Sequence, residues 1–244
     1  MLLVDIETAP NLAYVWGMWQ QNVSLDALVE PGYTLCWAAK WLGEKKVFFS
    51  SIHNTSEKKM IKEVWGLVNE ADAVIHFNGR KFDMPTLNKE FLLYGFGPPA
   101  PYKEIDLLPV CRKQFRFPSN KLDYVARALG VTEKVKHMGY TLWTKCMAGD
   151  DKAWKQMEKY NRGDVKTLEE VYDKLLAWIP SHPNHGLYVD SEKPVCVNCG
   201  SDHIQKRGTE KAQAHIYPRF KCINCGKWMR GRSNVTPKGK EILA

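Results

Sequence analysis

Four of the seven cysteines form two Cys-x-x-Cys pairs, Cys196-Val-Asn-Cys199 and Cys222-Ile-Asn-Cys225, separated by 22 residues and each followed by a glycine. No other feature restricts the fold so tightly. Two such pairs bring four thiolates around one tetrahedral ion, for which zinc is the natural choice. The glycines permit the tight turns that aim both sulfurs of a pair at the same point. Residues 194–232 are therefore expected to form a small zinc ribbon on one structural Zn2+, with His203 and His215 unnecessary as ligands. Cys36, Cys111 and Cys146 stand singly and read as buried thiols. An odd cysteine total with metal-type pairs fits a reducing compartment.

Charge divides along the same line. The net charge is +8, yet residues 1–192 contain 24 basic and 24 acidic side chains, whereas residues 193–244 contain 11 and 3. The excess thus belongs to the C-terminal region, where an ion held by four thiolates would lower it to about +6. Around the second cysteine pair, Tyr217-Pro-Arg219-Phe220-Lys221 and Lys227-Trp228-Met-Arg230-Gly-Arg232 interleave aromatics with cations. That pattern suits base stacking plus phosphate contact. The region resembles the small zinc ribbons that some transposases use on DNA; a structural clip or a protein-docking module are the alternatives. A basic tail is expected over 233–244.

The preceding residues carry the pattern of an α/β fold. Residues 2–8, 34–41 and 46–52 are β-branched and aromatic runs separated by breaks at Pro31-Gly32 and Gly43-Glu44, which predicts a three-stranded antiparallel meander. Ser56 is placed as the N-cap of a helix to Glu70, with Ile61, Val64, Trp65 and Val68 at helical spacing. A strand over 73–77, a helix from near Pro85, a strand over 103–108 and helices near 107–115 and 120–129 follow. A long helix over 151–179 stops before Pro180. Strands in sequence and then strands alternating with helices predict a mixed sheet flanked by helices. The turn-rich stretch 181–193 is expected to be a linker after a first domain of residues 1–180.

Within that domain the informative residues are carboxylates. Asp5 and Glu7 lie two apart on a strand, so both project from one side of the sheet, and two like charges so close invite a cation between them. Asp83 follows the fourth strand in Asn78-Gly-Arg-Lys-Phe82-Asp83, where it serves equally well as a helix N-cap. Asp164 sits on the apolar stripe of the long helix, four residues after Tyr160 and beside Gly163. A carboxylate facing a core requires a metal or a partner such as Arg80 or Arg162.

Together the segments Asp5-Ile-Glu7-Thr8, Asn78-x-x-x-Phe82-Asp83 and Tyr160-x-x-x-Asp164 resemble, in order and placement, the DEDD superfamily of 3′-5′ exonucleases. That group includes the proofreading domains of DNA polymerases. Position 159 is Lys rather than His, and Tyr160 stands four before Asp164, so the resemblance is to the DEDDy branch, related to family B polymerase proofreading domains. It covers about residues 1–178.

The resemblance implies an RNase H-like fold and two Mg2+ or Mn2+ ions at the active site. It implies that Asp5, Glu7 and Asp164 hold the first ion and that Asp5, with Asp83 acting through water, holds the second. Tyr160 would orient the attacking water, and Thr8, Asn78 and Phe82 would lie against the terminal nucleotide. The expected reaction is hydrolysis of DNA from 3′ ends to nucleoside 5′-monophosphates, with the ribbon (Arg219, Phe220, Lys221, Lys227, Trp228, Arg230, Arg232) aiding nucleic-acid binding. An exoribonuclease and a non-catalytic nucleic-acid adaptor are the alternatives. A DNA replication or repair protein is the implied protein partner. No apolar run approaches the roughly 20 residues that span a bilayer, and the charged start is unlike a secretory signal, so a cytoplasmic location is expected.

Overall fold

The computed structural model describes residues 1–131 and 139–239; the last five residues of the expected basic tail lie outside that range. The chain divides into two compact units, one of residues 1–112 and 116–171 and one of residues 113–115 and 172–244. No helix among the described residues is long and apolar enough to cross a membrane.

The first unit is built on β1 (Leu2–Thr8), a short ribbon of β2 (Leu12–Ala13) and β3 (Leu28–Glu30), then β4 (Thr34–Trp41), β5 (Val47–Ser51), β6 (Ala73–His76) and β7 (Lys103–Asp106). Five of these form one sheet in the order β5-β4-β1-β6-β7. β1, β4 and β5 run antiparallel, as the meander predicts, while β6 pairs parallel with both β1 and β7. The parallel pairs require crossovers, and helices α1 (Glu57–Glu70) and α2 (Asp83–Leu93) supply them. The result is a mixed sheet with helices on both faces.

Strand alternation sorts β1. Leu2, Val4 and Ile6 enter a core with Met60, Ile61, Val64 and Val68 of α1 and Met84, Leu87 and Phe91 of α2. Asp5 and Glu7 consequently point to the opposite face. There Leu35 and Cys36 of β4 join a second core with α5 (Tyr140–Met147) and α6 (Asp151–Leu175), through Leu142, Cys146, Ala153, Trp154, Met157 and Tyr160. Helices α3 (Leu107–Gln114) and α4 (Leu122–Ala128) come between β7 and α5.

Several boundaries differ from the sequence expectations. β7 ends at Asp106 because its carboxylate accepts the Leu108 N–H at 3.1 Å and starts α3. Helix α2 begins at Asp83, two residues before Pro85, and α5 is not expected from the sequence at all.

The second unit contains a three-stranded antiparallel sheet, β8 (Ile204–Lys211), β9 (Ile216–Cys222) and β10 (Trp228–Arg230), in the order β10-β9-β8. Its fold is that of a zinc ribbon, as the cysteine spacing predicts. Such a module buries little apolar surface of its own. It packs on residues that follow α6: Asn198 Nδ2 donates to the Leu176 carbonyl at 2.6 Å, and Lys227 Nζ donates to the Ile179 carbonyl at 2.7 Å. The expected linker 181–193 is drawn into the same unit. The His185 N–H donates to the Val197 carbonyl at 2.6 Å, and Gly200, at φ +71°, leaves room for His185 and Val189.

Candidate active site

The site forms where β1 outruns its neighbour. β6 pairs with β1 only at Leu2↔Val74 and Leu3↔Ile75, so the later N–H groups of β1 on that edge have no strand partner. Asp83, at the start of α2, supplies one: its Oδ1 accepts the Ile6 N–H at 3.2 Å. Burial pushes the Asp83 carboxyl up to about 7, working against that hydrogen bond. A second carboxylate fixes the turn leading to Asp83. Asp106 accepts from Asn78 N at 2.8 Å and from Arg80 N at 3.3 Å, with Asn78 at φ 72°. Gly79 lies against buried His76, whose ring Cγ would be 2.4 Å from an added Cβ, so only glycine fits there. Asn78 therefore belongs to the turn that aims Asp83.

On the α6 face of β1, ligand oxygens of Asp5, Glu7 and Asp164 all lie within 4.8 Å of one another. Asp164 arrives on the buried face of α6, one turn after Tyr160, because residues four apart on a helix share a face. The two arginines considered as partners for Asp164 are engaged elsewhere, Arg80 with Glu104 and Arg162 with Glu158, each at 2.8 Å. Asp83 stands outside the three-carboxylate cluster, on the adjoining edge of β1. Three acidic groups so close repel unless cations lie among them, and hard divalent ions take oxygen ligands of this kind. The donor set therefore fits Mg2+ or Mn2+.

Two further groups steady the cluster. Asn161, fully buried on α6, donates its Nδ2 to Asp5 Oδ2 at 2.7 Å. Tyr160 hydrogen-bonds the Asp164 carboxylate and packs edge-on against Trp143, with ring centroids 5.9 Å apart. Burial first, then the charges of Asp164, Glu7 and Asp5, push its phenol well above the usual tyrosine range. Tyr160 thus stays protonated and can act only through hydrogen bonds. Beside Thr8 opens a groove of about 440 Å³, lined by Thr8, Asn11, Gly32, Phe82, Pro85 and Lys89 among others. Thr8 and Phe82, both read from sequence as nucleotide contacts, face this one space.

In the second unit the four thiols of Cys196, Cys199, Cys222 and Cys225 also gather within 4.8 Å. Cys196 and Cys225 are 3.5 Å apart at sulfur, and Cys199 and Cys222 3.6 Å. A tetrahedron with Zn–S bonds of about 2.3 Å has edges of about 3.8 Å, so the cluster is close to the size zinc requires. The antiparallel register Trp228↔Lys221 and Arg230↔Arg219 places these four on one face. The Arg219 guanidinium sits 4.8 Å from the Trp228 ring, and that of Arg230 4.5 Å from Tyr217. Phe220 pairs with Met229 on the reverse face, and Arg232 is exposed beyond β10. Lys227 does not join the basic face, because its ammonium is taken by the Ile179 and Ala177 carbonyls.

Sequence reasoning missed Asn161, Asp106 and Lys89. Asn161 was legible in part, three residues before Asp164 on the same helix face; nothing local marks the other two.

The fold has known counterparts. Over 72% of its length the chain superposes on the family B DNA polymerase of the hyperthermophilic archaeon Pyrobaculum calidifontis, with a TM-score of 0.53 and 18% identity. It spans 24% of that polymerase. No curated protein matches the chain. The model of the RNase_H_2 family, described as RNase_H superfamily, matches residues 30–176, a span that holds Asp83, Tyr160 and Asp164 and begins after Asp5 and Glu7. That match covers more than half of the sequence, and with the mixed sheet and its flanking helices it places the chain in the RNase H superfamily.

Proposed function

We propose that this protein is a metal-dependent 3′-5′ exonuclease of the DEDDy type that shortens DNA from 3′ ends. The observation that carries the reading is the convergence of Asp5, Glu7 and Asp164 within 4.8 Å, with Tyr160 hydrogen-bonded to Asp164. Asp5, Glu7 and Asp164 would hold one divalent ion, and Asp5, with Asp83 through water, a second. Two such ions supply Lewis-acid stabilisation to the phosphate oxygens and make water a nucleophile near neutral pH. The chain's own contribution is positional. Asn161 holds the Asp5 carboxylate in one orientation, Asp83 is anchored on the Ile6 N–H, and the protonated Tyr160 presents its hydroxyl to the attacking water. Water oxygen bonds to phosphorus as the P–O3′ bond breaks, releasing a nucleoside 5′-monophosphate and a new 3′-hydroxyl.

The ribbon, holding one Zn2+ on its four cysteines, adds affinity without chemistry. Arg219, Lys221, Trp228 and Arg230 combine cations and a ring on one face, the combination that tracks a nucleic-acid backbone while stacking on bases. A DNA replication or repair protein is the class of partner this activity suits.

The test is the full chain with Mg2+ or Mn2+ and 3′- or 5′-labelled DNA and RNA. A 5′-labelled DNA strand should give a ladder shortening from its 3′ end, with 5′-monophosphates as product. Cleavage unaltered by Asp5→Ala and Asp164→Ala would remove the assignment, and faster loss of RNA than DNA would move the substrate to RNA.

A further inference from the structure

Between Thr8 and Asp26 the chain carries no charged side chain, and it holds the rings of Tyr14, Trp16 and Trp19. All three are outside the core: Tyr14 is 81% exposed, Trp19 86%, and Trp16 wholly so. Met18 and Leu25 are equally uncovered. These residues form an arm between β2 and β3. It is closed by the Leu12↔Glu30 and Ala13↔Leu28 pairs and by the Tyr14 N–H donating to the Ala27 carbonyl at 2.9 Å. Exposed aromatic surface on this scale marks a binding site.

The root of the arm shows where such a site leads. Asn11 Oδ1 accepts the Gly32 N–H at 2.6 Å, and Lys89 Nζ donates to the Gly32 carbonyl at 3.1 Å. Asn11, Gly32 and Lys89 line the groove that begins at Thr8, next to Glu7. Tyr14 is six residues beyond Thr8, so its Cα lies within about 21 Å of it.

We propose that the arm is a stacking platform for the unpaired bases of a bound strand. This rests on the carboxylate cluster being the hydrolytic site. Three features favour a nucleic-acid strand over a protein partner. The arm is continuous with the groove that opens beside Glu7. Residues 9–25, which hold all three rings, carry no charge that would repel a phosphodiester backbone. Directly after the last ring stand Gln20, Gln21 and Asn22, whose amides can pair with base edges of either polarity. Every base has a π-face, so three rings grip a strand of any sequence. A base inside a duplex has both faces covered by its neighbours, so only an unpaired strand can lie on the arm.

The test uses the full chain without added divalent ion and a fluorescein-labelled, mixed-sequence 12-mer of DNA. Trp16→Ala with Trp19→Ala should weaken single-strand binding by about tenfold per ring, and Trp16→Phe with Trp19→Phe should restore most of it. The ratio of parent to variant affinity should hold between low and high salt, since stacking releases no counterions. The substituted rings are exposed, so the fold should be retained. Hydrolysis of thymidine 5′-(p-nitrophenyl phosphate) with Mn2+, a substrate too short to reach the arm, should be unchanged in the alanine variant. Equal affinity of parent and alanine variant for the 12-mer overturns the proposal, as does an equal loss of affinity for a blunt duplex. An arm that governs only self-association in sedimentation, with oligonucleotide affinity unchanged, overturns it in favour of a protein contact. If the parent binds through its rings yet leaves the small ester intact, the platform stands and the hydrolytic reading fails.

Discussion

The two ligand clusters of this protein are assembled in opposite ways. The sulfurs of Cys196 and Cys225 meet across 29 residues of chain, whereas Asn161 reaches Asp5 across 156. The first cluster closes a short loop in a module where, among residues 194–232, only Cys196, Asn198 and Cys222 are buried. The second lies on the α6 face of a sheet that has an apolar core on each side. On the proposed function the ribbon would need an ion in order to fold, while the sheet brings its carboxylates together by its own packing. On that function, metal would be structural where the core is small and catalytic where the core is large.

The sharpest way to break this contrast is to remove zinc. Chelation removes a contribution on the order of 10–16 kcal/mol and Cys222→Ser a share of it, and chelation should unfold residues 194–232. Limited proteolysis would then cut the ribbon while a fragment of about residues 1–171 survives; loss of that fragment at the same rate would erase the distinction. On the other side, Asp5→Ala or Asp164→Ala should lower exonuclease turnover by about a thousandfold or more, since several kcal/mol of charge stabilisation depend on the ligands.

Asp83 sharpens the comparison through pH. Its folded carboxyl is raised to about 7, while in the unfolded chain it titrates near about 3.9. Between those values the folded state keeps a proton that the unfolded state has lost. Stability without added divalent ion should therefore be highest below about pH 4 on this account and decline until about pH 7. Asp83→Asn keeps an acceptor for the Ile6 N–H and should flatten the decline, read as urea midpoints at pH 5 and pH 8. A slope unchanged by the substitution would show that another group carries it.

Asn161→Ala should cost about 10–100-fold in activity, the usual effect of removing a group that orients a metal ligand. Saturating Mn2+ should recover part of it if Asp5 has only lost its orientation. The smallest effect is expected on the ribbon face. Arg219→Ala with Lys221→Ala should reduce the salt dependence of DNA binding by about two phosphate contacts while single-turnover cleavage is preserved. Lys227→Ala should leave that slope unchanged, since its ammonium is bound to the Ile179 carbonyl.

How much of this was legible beforehand differs between the clusters for the same reason. Cys-x-x-Cys spacing is a local property, and it identified all four thiols together with the ribbon. Period-two alternation in β1 put Asp5 and Glu7 on one face, and the helical period put Tyr160 and Asp164 on another. The neutral charge of residues 1–192 against the basic C-terminal region was likewise written in the composition. What these patterns leave open is which face meets which. The packing of α6 against β1 set Asn161 on Asp5, and the early end of β6 sent Asp83 to the Ile6 N–H. The ribbon's small core drew in residues 181–193 and turned Lys227 inward, away from the strand it was expected to touch. Nothing in the spacing of Tyr14, Trp16 and Trp19 marks them as uncovered, and only the fold shows that they are. Backbone geometry repeats every two or 3.6 residues and so can be read along the chain. Contacts between elements more than a hundred residues apart depend on the sheet order and on competition for buried surface, which tertiary structure alone decides.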